Sequence, residues 1–403
     1  MPLPTADRTI VRTLLVLSVA QVVGWGTVGL PAILGRQMAG DLHMDLSAAF
    51  AGSSVLYVMM GLCAPLLARP FTRLGARQVM MAGTLLAAPG FVVMSLAHGP
   101  AAYFAAWTIL GVAGSASLST AAYIMLNEVA GQKAKSAIGA LMLVTGLSSS
   151  IFWPLTSVLA GMAGWRGTCL VYAGMMLLIC LPLYAFGLPR RPAASSDLTA
   201  MSGPAAGPPR PVRRGTFSLI VSAIALNSFV TFGFAAVMIE LLKAAGLPPA
   251  EALAFGSALG VIQVSARGID FLGGGRWDGI TTGLIAGLAL PTSMLLLMTG
   301  GGTYWSIAAF IVLYGLGSGA LAVARATIPL VFYDKADYAR ASSHIALPLN
   351  LISALAPPVL VGLLGRSGTQ ALLGLAMACS CGALLILLVL ARRRPSLETV
   401  ATS

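Results

Sequence analysis

The sequence predicts an all-α membrane protein of twelve transmembrane helices arranged as two six-helix halves. Three observations carry this. Charge is scarce: 403 residues include 24 Lys and Arg, 12 Asp and Glu, and 58% hydrophobic residues, with a mean hydropathy of +0.90. Soluble domains are about half apolar and about a quarter charged. Between the charges lie about a dozen apolar stretches, each matching the roughly 20 helical residues that cross a hydrocarbon core about 30 Å thick. The basic residues collect on alternate connectors, as topology signals do.

The charges bound the spans in order. Span 1 (12–36) lies between Arg12 and Arg36, and span 2 (47–68) ends at Arg69. Span 3 (78–97) follows Arg77, and span 4 (101–127) ends before Lys133. Span 5 (137–161) runs from Lys135 towards Arg166, and span 6 (168–188) from there to Arg190. Span 7 (216–241) sits between Arg214 and Lys243. Arg276 separates span 8 (251–272) from span 9 (279–299). Span 10 (304–328) precedes Lys335, span 11 (342–364) lies between Arg340 and Arg366, and span 12 (369–391) ends at Arg392. Met1–Asp7 is too short and polar for a cleavable signal, so the first span reads as a retained helix.

With both termini cytoplasmic, 18 of the 24 basic residues fall on inner segments and 4 on outer ones, which follows the positive-inside rule. The remaining two, Arg267 and Arg325, fall inside spans. Residues 189–215 are rich in Pro, Ala, Ser, Gly and Arg without apolar periodicity, and read as a flexible cytoplasmic linker. The expected organisation is therefore an N-terminal half (1–188), the linker, a C-terminal half (216–394) and a cytoplasmic tail (395–403). The halves echo each other weakly. Gly114-Ser115 before Leu118 recurs as Gly317-Ser318 before Leu321, and the next spans contain Trp153-Pro154 and Pro357-Pro358. Such repeats suit transporters that bind solute where the halves meet.

Several classes are excluded. The net charge of +12 sits on connectors rather than in a basic stripe, and no zinc spacing or RNA-binding aromatic motif accompanies it, so nucleic acid is not an expected partner. The five cysteines lie in or beside apolar spans without a CxxC and read as small packing residues. There is no HExxH, no nucleophile elbow, no paired intramembrane carboxylate and no Walker motif, so neither an enzyme nor an ATP-driven pump is expected, and no cofactor or metal.

Six plus six helices joined by a basic linker resemble the major facilitator superfamily. That family carries an acidic–basic loop motif between spans 2 and 3, ending Asp-Arg-x-Gly-Arg-Arg/Lys. This chain has Thr72-Arg73-Leu74-Gly75-Ala76-Arg77, in which Arg73, Gly75 and Arg77 match and Thr72 replaces the acid that helps latch the cytoplasmic side. Gly24-Trp25-Gly26-Thr27, Phe152-Trp153-Pro154-Leu155-Thr156, Gly164-Trp165-Arg166-Gly167 and Ala324-Arg325-Ala326-Thr327-Ile328-Pro329-Leu330 resemble a bacterial branch of monocarboxylate-type porters. The resemblance implies secondary transport of a small solute by rocking of two halves, a monomer, and a place in the cell inner membrane.

An ionisable side chain inside a span costs roughly 2.5–3.5 kcal/mol on insertion scales, so each needs a reason. Arg325 in span 10 and Arg267 in span 8 are the candidates for capturing a carboxylate or phosphate, because guanidinium stays charged and offers forked donors. Snorkelling to the interface or bracing a gate is the structural alternative. Asp270, three residues after Arg267, is a potential partner on the same helical face. Gln263, one turn earlier, is read either as a solute ligand or as a link to a neighbouring helix. In span 1, Gln21 and Trp25 sit among glycines that permit close packing or a local break. Tyr123 and Trp153 occupy hydroxyl-rich helices that either line a wet cavity or bond back to their own carbonyls. Asn227 and Thr231 share one turn of span 7, and His344 and Asn350 belong to span 11. Arg73, Gly75, Arg77 and Asp270 are the loop and gating candidates.

No acid lies in the middle of a span, which argues against a simple carboxylate proton relay. The leading expectation is secondary or facilitated transport of a small organic solute, an anion or monocarboxylate. The alternative is efflux of amphipathic drugs or metabolites along Met- and aromatic-rich walls.

Overall fold

The computed structural model describes residues 5–190, 214–273, 278–333 and 335–394, and these are helical almost throughout. Most of the expected linker, Arg276 and the tail lie outside the described residues. The first half comprises α1 (Thr5–Val28), α2 (Leu30–Asp41), α3 (Leu46–Leu74), α4 (Ala76–Ser95), α5 (Pro100–Ser117), α6 (Ser119–Ala130), α7 (Ala134–Thr145) and α8 (Ser148–Met175). Two π-helical turns, Met176–Cys180 and Leu183–Gly187, complete it. The second half comprises α9 (Arg214–Ala244), α10 (Pro249–Leu272), α11 (Gly279–Thr299), α12 (Tyr304–Thr327), α13 (Pro329–Phe332) and α14 (Lys335–Arg392).

Nine runs among the described residues are long and apolar enough to cross a membrane. Two of them are too long for one crossing. Pro100–Gly187 is 88 residues and Asp337–Arg392 is 56. The first turns at Gly131 (φ 53°) and Gly164 (φ 68°), which gives three passes, and the second turns at Gly368 (φ 76°), which gives two. The total is twelve. At Gly164 and Gly368 the turn is a single residue inside an otherwise continuous helix, with ψ of 177° and −177°. That combination is essentially restricted to glycine.

Several passes are broken rather than straight. α1 and α2 divide at Gly29, where Pro31 starts the second piece, a position at which its missing N–H costs nothing. α5 and α6 divide at Leu118, whose backbone is extended (φ −86°, ψ −156°). α7 and α8 divide at Gly146-Leu147. α12 gives way to α13 at Pro329.

Buried apolar side chains form three clusters. One draws almost wholly on residues 16–188, and adds Ala322, Val323, Ala326, Tyr338 and Ala339 from the second half. The other two lie within residues 220–390. Contact between the halves runs largely through α3 and α14. There a Cβ on Gly61 would come within 3.0 Å of the Leu347 carbonyl, so glycine sets how closely those helices approach.

Candidate functional site

A cavity of about 280 Å³ opens between the two halves. Its first-half wall includes Trp25, Tyr57, Ser119 and Tyr123, and its second-half wall includes Phe232, Arg267, Arg325, Tyr338 and Asn350. The broken pass α5–α6 shapes the first-half wall. A helix end leaves carbonyls without intrahelical partners. The Ser117 carbonyl is satisfied by Gln21, whose Nε2 donates to it at 2.7 Å and to the Tyr184 hydroxyl at 3.3 Å. On the other side of the break, Trp25 Nε1 donates to Ser119 Oγ at 3.0 Å. Leu118 fills the space that Gly24 leaves, since a Cβ there would lie 2.8 Å from its side chain. Span 1 thus clamps the broken pass from both sides, and the clamp holds the Trp25 ring at the cavity wall.

The second half supplies the charge. Arg325 lies in the last turn of α12, where the helix dipole favours a cation. Its Nη1 donates to Ser228 Oγ at 3.3 Å, and its guanidinium carbon stands 5.0 Å from the Phe232 ring centre. Ser228 and Phe232 are one turn apart on α9, so one helix face seats the whole group. Arg267 reaches from α10 towards the first half, into space kept open by Gly146: a Cβ at that position would be 3.3 Å from Arg267 Nη1. Its Nε is buried without a hydrogen-bond partner among the described residues. No Asp or Glu is among the described residues that line the cavity.

Asp270 does not pair with Arg267. Its Oδ1 lies 3.4 Å from Lys135 Nζ on α7 and accepts from Thr282 Oγ1 on α11 at 2.6 Å, while Lys135 also donates to Thr282 Oγ1 at 3.3 Å. The side chains of Asp270 and Lys135 are only 6% and 15% exposed, so this is a buried tie between the halves. On a helix, i and i+3 share a face, but a cation on the facing helix offers a shorter reach.

Five other candidates stand away from the cavity. Gln263 Nε2 donates to Ser318 Oγ at 2.9 Å and links α10 to α12. Gln21 serves the helix break described above. Trp153 of α8 is exposed, beside Gly29, and is not among the residues that line the cavity. Asn227 borders a small recess behind Arg325, with Oδ1 unpartnered among the described residues. His344 is exposed, with Nδ1 2.8 Å from the Arg340 carbonyl oxygen. Conversely, Tyr57, Phe232 and Tyr338 line the cavity without having stood out in the sequence. An aromatic residue inside an apolar span carries no signal of its own.

The loop motif is built around Gly75, whose φ of 83° lets α3 end and α4 begin at one residue. The Thr72 hydroxyl donates to the carbonyl of Arg69 at 3.0 Å in its own helix. A carboxylate is present nonetheless, contributed by another helix: Glu128 of α6 accepts from the Ala76 N–H at 3.2 Å, at the first turn of α4. Arg77 donates to the carbonyls of Tyr184 and Ala185 at 3.2 and 2.5 Å, and Arg73 is exposed. At the opposite end of the first half, Asp41 accepts from Trp165 Nε1 at 2.7 Å and from Arg166 Nη1 at 3.1 Å, while Arg166 Nη2 donates to the Ala97 carbonyl at 2.9 Å.

Two helical halves enclosing a cationic cavity, tied together at one end by a buried ion pair, have the build of a polytopic membrane carrier. The Major Facilitator Superfamily model matches residues 14–290, and the chain belongs to that superfamily. It is 27% identical over 239 residues to monocarboxylate transporter 3 of Rattus norvegicus, a match covering 56% of this chain and 48% of that one. It is 32% identical over 133 residues to monocarboxylate transporter 13 of the same species, covering 33% of this chain and 30% of that one. The chain therefore spans about half or less of the length of these curated relatives. Among solved structures, the human organic anion transporter MFSD10 (TETRAN) superposes with a TM-score of 0.70 at 16% identity, covering 96% of this chain and 100% of that one. FucP in its outward conformation gives 0.71 at 12% identity, covering 93% and 98%. These likenesses establish the twelve-helix fold.

Proposed function

We propose that this protein is a carrier for a small organic anion of the monocarboxylate class, moved across the cell inner membrane by alternating access of its two halves, with both termini cytoplasmic. The observation that carries the reading is the cavity with two guanidiniums and no facing carboxylate among its described lining residues. A carboxylate bound there would take a forked pair of hydrogen bonds from Arg325 and meet the unused donors of Arg267. The aromatic wall of Trp25, Tyr57 and Phe232 would hold the apolar body of the solute. The names of the monocarboxylate transporters and of the human organic anion transporter to which the chain is similar point to the same chemistry.

The test is uptake by proteoliposomes carrying purified protein. Radiolabelled monocarboxylates should be transported by the parent chain. In Arg325→Gln the rate at low substrate should fall by about tenfold to hundredfold, the loss expected when one charge-assisted hydrogen-bonded pair worth about 1.5–3 kcal/mol is removed. Transport by Arg325→Gln equal to the parent overturns the reading. Competition by lipophilic cations in place of organic acids would favour efflux of amphipathic compounds, for which Met60, Met142 and the aromatic wall supply a surface.

A further inference from the structure

We propose that the basic end of the first half carries a second anion site, separate from the central cavity and suited to the phosphate of an anionic lipid headgroup. A concavity of about 320 Å³ lies there between the start of α1, the start of α4 and the end of span 6. Three arginines line it, Arg12, Arg77 and Arg190, and among the described lining residues there is no Asp or Glu. Two of the guanidiniums are held in place by backbone. Arg12 Nη2 donates to the Phe186 carbonyl at 2.5 Å, and Arg77 donates to the carbonyls of Tyr184 and Ala185. Each guanidinium has five N–H donors, so these bonds leave donors over on both. Thr13 lines the same concavity, is fully buried, and has a hydroxyl with no partner among the described residues.

Capping of the unpaired carbonyls at the end of span 6 explains the contacts of Arg12 and Arg77. It leaves the orphaned Thr13 hydroxyl, the third arginine and the open volume without a purpose. An anion with several acceptor oxygens accounts for all three. The surroundings favour a lipid as its source. Phe186, whose own carbonyl takes the Arg12 bond, is 77% exposed, and Val11 beside Arg12 is 44% exposed. An apolar rim around a cationic recess matches a headgroup with its acyl chains attached, and the charge pattern assigns this end to the cytoplasm, where basic pockets between membrane helices meet anionic headgroups.

The site is tested by thermal unfolding of the full chain in detergent with three probes: short-chain phosphatidylglycerol, short-chain phosphatidylcholine and inorganic phosphate. Phosphatidylglycerol should raise the melting temperature, by binding the folded state, while the other two leave it unchanged. Arg190→Gln removes a cation that caps no carbonyl among the described residues, so the fold is retained. In that variant the phosphatidylglycerol concentration giving half the shift should rise about tenfold or more. Thr13→Val should weaken the response in the same direction. No shift in the parent chain, an equal shift with phosphatidylcholine, or an unaltered phosphatidylglycerol response in Arg190→Gln overturns the site. A full shift from inorganic phosphate alone overturns the lipid assignment in favour of a soluble phosphate.

Discussion

Arg267 and Arg325 present the same group to one cavity but are held differently. Arg325 rests on Ser228 and the Phe232 ring, whereas Arg267 has an Nε with no partner among the described residues. A donor left unmatched in the protein is one that a bound solute can satisfy. Arg267→Gln should therefore weaken solute affinity, raising KM about tenfold or more with expression and melting temperature held, because no protein hydrogen bond to that Nε is lost. An unchanged KM would place Arg267 outside the solute's reach. These two residues were legible in the sequence because a cation in an apolar span is rare. Their surroundings were not. Nothing in the chain marks Tyr57 and Phe232 as lining the cavity and Trp153 as lying outside that lining. Gln21 reads as a polar candidate in a span, yet its amide satisfies a carbonyl freed 96 positions later. Only the break at Leu118 reveals that need.

At the scale of elements, Gly164 and Gly368 do equivalent work in the two halves. Each redirects a continuous helix between consecutive passes within one residue, so no run of unpaired backbone opens. A Cβ at either position would meet nothing within 4 Å, so substitution costs backbone energy alone. Gly164→Ala and Gly368→Ala should each destabilise the protein by about 1–3 kcal/mol in denaturant titrations. Gly174→Ala, also free of neighbours but without a positive φ, should be close to neutral. Equal effects at all three positions would show that the backbone conformation is not what matters. The number of passes was readable because charges punctuate the apolar runs. The one-residue turns were not: residues 162–167 and 365–368 read as connectors, because glycine and arginine mark an interruption without showing that helix resumes at once.

In the whole molecule, the Lys135–Asp270–Thr282 cluster joins the first half to the second through groups 135 and 147 positions apart. Removing the carboxylate takes the anionic member out of this buried cluster, and the loss falls on the arrangement in which the cluster is made. Asp270→Asn should therefore let the halves part more readily. Amide hydrogen exchange should quicken at the start of α7 and the end of α10, while the interior of α4 stays as slow as in the parent. Unaltered exchange at both ends would show that the tie does not hold the halves. This cluster was hidden in the sequence, because Lys135 looks like one more topology charge and Asp270 like a neighbour of Arg267. The cationic cavity has an electrical consequence for a carrier of the proposed kind. An empty cavity holds two positive charges, and a bound monocarboxylate cancels one of them. The loaded and unloaded legs of the cycle then differ by one elementary charge. To the extent that this charge crosses the field during rocking, a membrane potential of 100 mV biases one leg relative to the other by up to about 2.3 kcal/mol. Voltage would then govern the return of the empty carrier separately from the passage of its cargo.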